Sequence, residues 1–157
     1  MFRANYKEPL ECELELMKKA DYTLEILNAW NQNTMGGHLG MEFTEIGDDY
    51  LCGKMPVDHR THQPMGLLHG GASAAFAETL GSVAGIMQVD SEKQACVGIE
   101  INANHLKSAR NGFVYGKASA VHIGNKTQVW DIRITNAGGD LICVSRLTLA
   151  VLDRAHA

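Results

Sequence analysis

A change in the period of the apolar residues, near the middle of this 157-residue chain, most limits what the chain can fold into. From Gly71 to about Val89, apolar residues recur every three to four positions, as on one face of a helix. The residues of this stripe are Phe76, Leu80, Val83 and Met87. Beyond Asp90 the period becomes two, as in strands with one buried face. These two periods therefore predict an α+β fold in which one long central helix packs against a single antiparallel sheet.

Four segments after the helix carry the strand pattern. In the first, Val97, Ile99, Ile101 and Ala103 alternate with polar residues or glycine. The other three are predicted at Phe113–Val121, Gln128–Thr135 and Leu141–Leu152, with turn residues over 136–140. One helix covers only one face of such a sheet, so the other face must meet water or another subunit. We therefore expect the chain to dimerise.

The region before the central helix predicts shorter elements. Helical spacing runs from about Leu10 to Asn33 and is expected to end at the Gly36–Gly37 pair. Residues Met41–Met55 favour a strand or hairpin, broken by a turn at Gly47–Asp49, and Pro56–Leu68 has the composition of a loop. We divide the chain into an N-terminal extension, residues 1–21, which its spacing predicts to be helical, and a single domain, residues 22–157.

Composition excludes several functional classes. Hydrophobic residues make up 45% and charged residues 20%, which is typical of a folded globular domain. The net charge of −4 disfavours a nucleic-acid partner, because phosphate binding requires an excess of Lys and Arg. We find neither a signal peptide at the start nor an apolar run long enough to cross a bilayer, which predicts a cytoplasmic protein without a membrane partner. The four cysteines are far apart and form no zinc or redox motif.

The segment from Gln63 to Gly71 runs directly into the central helix and carries the most chemical information. Free backbone N–H groups at a helix start, reinforced by the helix dipole, can hold a carbonyl oxygen as it gains negative charge. Gly70 and Gly71 would let a substrate approach that backbone closely. These residues predict a site that polarises a carbonyl.

Glu78 lies within the same helix among alanines and glycines rather than beside a Lys or Arg. If such a carboxylate were partly desolvated, its pKa would rise, which suits activation of water or direct attack on a carbonyl. Ser82, one turn later, could orient the water or the carboxylate. Glu78 and Ser82 are therefore candidate catalytic residues.

The spacing of Gly70 and Glu78 implies a shared site. They are eight residues apart, which corresponds to about 12 Å of rise on a straight helix. One chain cannot easily direct both at the same carbonyl. We hypothesise that Gly70 and Gln63 of one subunit face Glu78 and Ser82 of its partner.

At this point the sequence resembles a known family. The matching blocks are Gln63, His69–Gly71, Glu78, Ser82, Met55–Asp58, Gly98–His105 and Ser145–Thr148. Together they resemble the hotdog-fold acyl-CoA thioesterases, and within them the glutamate-dependent branch that includes 4-hydroxybenzoyl-CoA and 1,4-dihydroxy-2-naphthoyl-CoA thioesterases. The resemblance covers about Tyr22 to Leu152, and it implies a hotdog fold, thioester hydrolysis and no cofactor beyond the coenzyme A of the substrate.

The resemblance also implies roles for individual residues. Glu78 would be the nucleophile or general base, the Gly70 N–H would polarise the acyl carbonyl, and Gln63 and His69 would position the thioester. The residues expected to bind acyl-CoA are Met65, Gly71, His105, Lys107, Ser108 and Arg110, with His122, Ile123 and Gly124 from a neighbouring subunit. Met65 stands where related aromatic-acyl enzymes often carry Phe, so its flexible thioether favours a more adaptable pocket. The implied assembly is a dimer with shared active sites, further associated into a tetramer.

Other interpretations of the same residues remain open at this point. Glu78 alone could be a solvated acid on a helix face. His59, His62 and His69 cluster in one loop, but their spacing matches no usual zinc signature, and no metal is predicted. A hotdog scaffold could also carry an acyl-thioester dehydratase or hydratase, or a binding module without catalysis, because fold alone does not decide function.

Overall fold

The computed structural model describes residues 21–154, so the predicted N-terminal extension lies, except for its last residue, outside the described residues. The helices are α1 (Leu24–Asn31), α2 (Met35–His38) and α3 (Gly70–Ile86). The strands are β1 (Glu42–Ile46), β2 (Tyr50–Pro56), β3 (Gln94–His105), β4 (Phe113–Ile123), β5 (Thr127–Asn136) and β6 (Leu141–Asp153). None of these helices combines the length and the apolar character that crossing a bilayer requires.

The six strands form one antiparallel sheet in the order β1-β2-β4-β5-β6-β3. Helix α3 packs against the sheet and contacts all strands from β2 to β6. This arrangement confirms the predicted α+β fold, with a hairpin before the central helix and four strands after it. It also places β1 and β3 at the two edges of the sheet.

The Gly36–Gly37 pair, predicted to end the leading helical region, lies just inside its end, because the second helix of that region ends at His38. Helix α1 already ends at Asn31, and both glycines lie within the short helix α2. Thr34 caps this helix, because its hydroxyl accepts a hydrogen bond from the N–H of Gly37 at 3.4 Å. Gly36 is required for packing, since a Cβ there would lie 2.1 Å from Oδ1 of the buried Asn31.

Glycines bring α3 unusually close to the sheet. A Cβ at Gly81 would lie 2.6 Å from Leu147, and one at Gly85 would lie 2.3 Å from Leu149. From the sheet side, Gly116 leaves the space that Leu80 and Phe76 of α3 occupy. The close approach buries the apolar stripe of α3 in the core, as the period of the sequence predicts. Each large side chain buried in this way stabilises the fold by about 1.5–3 kcal/mol.

A buried polar network lies within this core. Gln128 is fully buried; it donates to the carbonyl of Gly85 at 3.2 Å and accepts from the indole N–H of Trp130 at 3.0 Å. The thiols of Cys52, Cys96 and Cys143 are free, and burial raises the pKa of each. The hydrogen bond from Gln128 to Gly85 fixes β5 against the C-terminal end of α3.

Strand β3 has an open edge. Across the described range it pairs only with β6, and a bulge interrupts that pairing between Gly98 and Glu100. Val97 and Ile99 are 45% and 61% exposed on this strand. An edge strand with exposed apolar side chains is a template for pairing with another chain.

Candidate active site

The loop before α3 is held by its own hydrogen bonds. The hydroxyl of Thr61 donates to the carbonyl of Pro56 at 2.8 Å, and the N–H of His69 donates to the carbonyl of Thr61 at 2.8 Å. Arg60 donates several hydrogen bonds to Asp58, and these hold the pKa of that carboxyl at about 2. The start of α3 is therefore fixed relative to strand β2.

His69 is the N-cap of α3. Its Nδ1 accepts from the N–H of Gly71 at 2.8 Å, and its carbonyl accepts from the N–H groups of Ala72 and Ser73. The N–H of Gly70, in contrast, has no acceptor among residues 21–154. Gly70 therefore presents the free backbone donor that the sequence predicts at this position.

Glu78 lines a cavity of about 560 Å³ between α3 and the two short leading helices. Leu27, Trp30, Phe43 and Val83 form much of its apolar wall, and Ser82 lies beside Glu78 on the same helix. The Glu78 side chain is exposed in the single chain, so desolvation of its carboxylate has to come from substrate or from a partner. Within the described part of the chain, this carboxylate has neither an ion pair nor a hydrogen bond.

A second cavity, of about 330 Å³, collects five of the other predicted site residues. Its lining includes Gln63, Gly70, His105, Lys107 and Ser108. The imidazole of His105 lies so close to Gly70 that a Cβ there would be 2.7 Å from Nε2. Lys107 donates to Asp140 at 2.5 Å, and this hydrogen bond lowers the pKa of that carboxyl.

The single chain therefore separates the two groups of predicted residues. Gly70 and Gln63 line one cavity, and Glu78 and Ser82 line the other. Gly71 belongs to the cavity of Glu78. This separation is what the 12 Å spacing of Gly70 and Glu78 predicts for one chain, about two turns of helix.

The remaining predicted residues lie outside both cavities. Met65 is 77% exposed, and Gln63 Oε1 accepts a hydrogen bond from its N–H. Arg110 is exposed in the loop after β3, where its carbonyl accepts from His62 Nε2 at 2.9 Å. His122 and Ile123, predicted as part of a turn, are the last two residues of the 11-residue β4, and Gly124 follows them, roughly 30 Å from that loop. The roles assigned to all these residues stay predictions.

The sequence pattern did not identify the wall of the larger cavity. Trp30 and Phe43 come from α1 and β1, and nothing in their local pattern distinguishes them from ordinary core residues. It also missed Gly98, over which the carboxylate of Glu78 lies. A glycine inside an alternating strand is a recognisable sign of a bulge or of close approach by another group, so the position of Gly98 could have been recognised from the sequence. Within residues 21–154 no three His, Cys, Asp or Glu side chains are arranged to hold a metal ion.

Comparison with known proteins gives a consistent answer. Residues 65–143 match the family described as the thioesterase superfamily. The chain is 53% identical to a 1,4-dihydroxy-2-naphthoyl-CoA hydrolase of Escherichia coli, over 85% of this chain and 98% of that protein. It is 50% identical to a proofreading thioesterase of Cronobacter turicensis, over 85% of this chain and 97% of that protein.

A solved structure shows the same fold. A thioesterase from Haemophilus influenzae superimposes with a TM-score of 0.84 at 46% identity, covering 89% of this chain and 99% of the other. The predicted family, and with it thioester hydrolysis as the class of reaction, is confirmed by these similarities. The chain with its central helix and six-stranded sheet belongs to the thioesterase superfamily, in its hotdog-fold form.

Proposed function

We propose that this protein hydrolyses an acyl-CoA thioester to a free carboxylic acid and coenzyme A, with Glu78 acting at the thioester carbonyl. The observation that carries the proposal is the carboxylate of Glu78, which lines a largely apolar cavity without a partner in the described chain. The similarity to a 1,4-dihydroxy-2-naphthoyl-CoA hydrolase supports a coenzyme A thioester as the substrate.

The chemistry requires one base and one donor. As a general base, Glu78 takes a proton from water while the water oxygen attacks the carbonyl carbon. As a nucleophile, Glu78 attacks the carbonyl itself, and water then hydrolyses the resulting anhydride. In both routes the carbonyl oxygen gains negative charge that the Gly70 N–H can stabilise, and the C–S bond breaks to release the thiol.

We propose that the complete site forms between two copies of the chain. In this dimer, strand β3 of the second copy would pair antiparallel with β3 of the first, along the open edge on which Val97 and Ile99 are exposed. If the pairing sets Ile101 opposite the partner's Asn102, it also sets Gly98 opposite the partner's His105. Since Glu78 lies over Gly98 and Gly70 lies against His105, this register brings Glu78 next to the partner's Gly70.

The two cavities suggest where the parts of the substrate lie. The acyl group fits the apolar cavity walled by Trp30 and Phe43, with the flexible Met65 near its mouth in the assembled protein. The coenzyme fits the cavity of His105, Lys107 and Ser108, where the ammonium of Lys107, the imidazole of His105 and the hydroxyl of Ser108 can hold phosphate. Gln63 and His69 would position the thioester between them.

The turn formed by His122, Ile123 and Gly124 lies too far along β4 to reach the coenzyme cavity of its own chain. It can contribute to that cavity only from another subunit, and we propose that this subunit belongs to a second dimer, as in the tetramer that the family resemblance implies. We place the protein in the cytoplasm, where acyl-CoA substrates are available.

The test is release of free thiol from a panel of aromatic and aliphatic acyl-CoAs. We expect Glu78→Gln, which keeps the side-chain shape, to lower turnover by about 10²–10⁴-fold, because the base or nucleophile is lost. The matched control is Glu92→Gln, an exposed acid on the loop after α3, which should leave turnover unchanged. Circular dichroism checks that both variants fold. Turnover of Glu78→Gln within a few-fold of the unmodified protein, or products of altered unsaturation without free thiol, would contradict the proposal.

A further inference from the structure

The carboxylate of Glu78 rests on a glycine of the edge strand. A Cβ at Gly98 would lie 2.9 Å from Oε1 of Glu78, closer than real Cβ contacts allow. Among the described residues, apart from the two that adjoin Gly98 in the chain, the only other atom within 4 Å of that Cβ position is Cδ of the same carboxyl group. The space that a side chain at Gly98 would fill is therefore the space that the carboxylate uses.

Backbone conformation does not explain the glycine. The glycines with positive φ in the described range are Gly40, Gly66, Gly112 and Gly139, so Gly98 has a conformation open to other residues. Core packing does not explain it either. Gly53 and Gly116, the other glycines inside strands here, admit the apolar side chains of Phe76 and Leu80, whereas Gly98 admits only a carboxylate.

The bulge in β3 begins at this glycine. Gly98 pairs with Leu149 and Glu100 pairs with Thr148, which leaves Ile99 as the extra residue. A bulge re-aims the side chains of its strand and often lies next to an active site. Here it sets the open surface of Gly98 beneath the helix turn that carries Glu78.

We propose that Gly98 is a positioning residue for Glu78: the missing side chain leaves the carboxylate room to lie along β3, at the edge where the thioester of the proposed function is attacked. This inference rests on the proposed function, since it acts through Glu78. A methyl group at Gly98 forces the carboxylate to move by about 0.5–1 Å, because ordinary contacts begin near 3.4 Å. Misplacement of a reacting group by about 1 Å can cost about 10²-fold in rate.

The experiment is a double-mutant cycle that combines Gly98→Ala with Glu78→Asp. In the shorter Asp, the carboxylate retreats by one methylene and no longer reaches the Gly98 surface. We expect Gly98→Ala to lower kcat about 10- to 100-fold in the unmodified protein, with KM changed less than about 3-fold. In the Glu78→Asp background, the same change should lower kcat less than about 2-fold. Gly138→Ala, whose new Cβ would lie 3.3 Å from its nearest neighbour in a distant turn, is the matched control.

The outcomes separate the two proposals. If Glu78→Gln abolishes thiol release and Gly98→Ala remains as active as the unmodified protein, the role of Gly98 is overturned and the proposed function stands. A loss from Gly98→Ala that is equally large in the Glu78→Asp background, or that follows dissociation on size-exclusion chromatography, also overturns it, because the glycine then serves the strand or the interface. If Glu78→Gln stays active, the catalytic role of Glu78 is overturned and the role of Gly98 with it.

Discussion

The polar groups in and before α3 are of two kinds: some have a partner within the described chain and others have none. Asp58 is held by the side chain and the backbone N–H of Arg60, and this pairing keeps its pKa far below the ordinary 3.8. Glu78 has no such partner in the described chain, and neither has the N–H of Gly70. The carboxylate of Asp58 therefore stabilises the loop, whereas Glu78 and Gly70 are left available to a substrate.

Asp58 gives a prediction about pH. Its folded pKa of about 2 lies below the unfolded value of 3.8, so its contribution to stability is complete above about pH 4 and is lost as the pH falls through 2. Asp58→Asn should therefore lower the free energy of unfolding at pH 7 by at most about 1 kcal/mol, because the pair is solvent-screened. The difference should shrink at pH 3. Urea unfolding at fixed protein concentration measures it, and a difference that stays constant from pH 7 to pH 3 would contradict the assignment.

Residues differ in how far their role or contacts could be predicted from the sequence. The lack of a partner for Glu78 could be predicted, because its neighbours along the helix are alanines and glycines. The role of His69 as a helix cap could not, since its ring nitrogen replaces the hydroxyl or carboxylate oxygen that caps usually supply. The contact of Glu78 with Gly98 joins residues twenty positions apart, and only the packing of α3 on β3 brings them together.

At the scale of elements, the site depends on how closely α3 approaches the sheet. Gly81 and Gly85 open one side of the helix to Leu147 and Leu149, and Gly116 opens β4 to Phe76 and Leu80. Interiors pack at near-crystalline density, so even one added methyl group must displace its neighbours. The position of α3, and with it that of Glu78, is set by these contacts.

Gly116 gives a prediction about packing. A methyl group there would lie 2.4 Å from Leu80 and 2.8 Å from Phe76, so Gly116→Ala should lower the free energy of unfolding by about 1–3 kcal/mol. The control is Ser119→Ala on the same strand, where a change within about 0.5 kcal/mol is expected. Urea unfolding followed by tryptophan fluorescence compares the two. Equal effects of both substitutions would contradict the proposed close packing of α3 on β4.

The periodicity of the sequence was sufficient to predict the elements but not their order in the sheet. The period of 3.6 predicts α3 to within a few residues, and the period of two predicts the strands after it. Which strands lie at the edges depends on pairings between distant segments. Val97 and Ile99 follow the alternation of a half-buried strand, yet both are exposed because β3 has a neighbour on one side only within the described sheet.

At the scale of the whole molecule, one chain keeps the two groups of candidate site residues in separate cavities. Glu78 and Ser82 line the apolar cavity, and Gly70 and Gln63 line the cavity of the coenzyme-binding candidates. A symmetric dimer formed through β3 would carry two identical composite sites, each with one half from either copy. The separation could be predicted from the rise of a helix, whereas the edge proposed to join two copies could be identified only from the strand order.

Complementation between two inactive variants tests the composite site most directly. Glu78→Gln and Gln63→Ala are purified separately, unfolded, mixed in equal amounts and refolded together, and thiol release is measured. If each site combines Glu78 of one copy with Gln63 and Gly70 of the other, every mixed dimer keeps one intact site. Half of the dimers are mixed, so the mixture should recover about one quarter of the unmodified activity. Activity no higher than that of the two variants refolded separately would contradict a site shared between two copies.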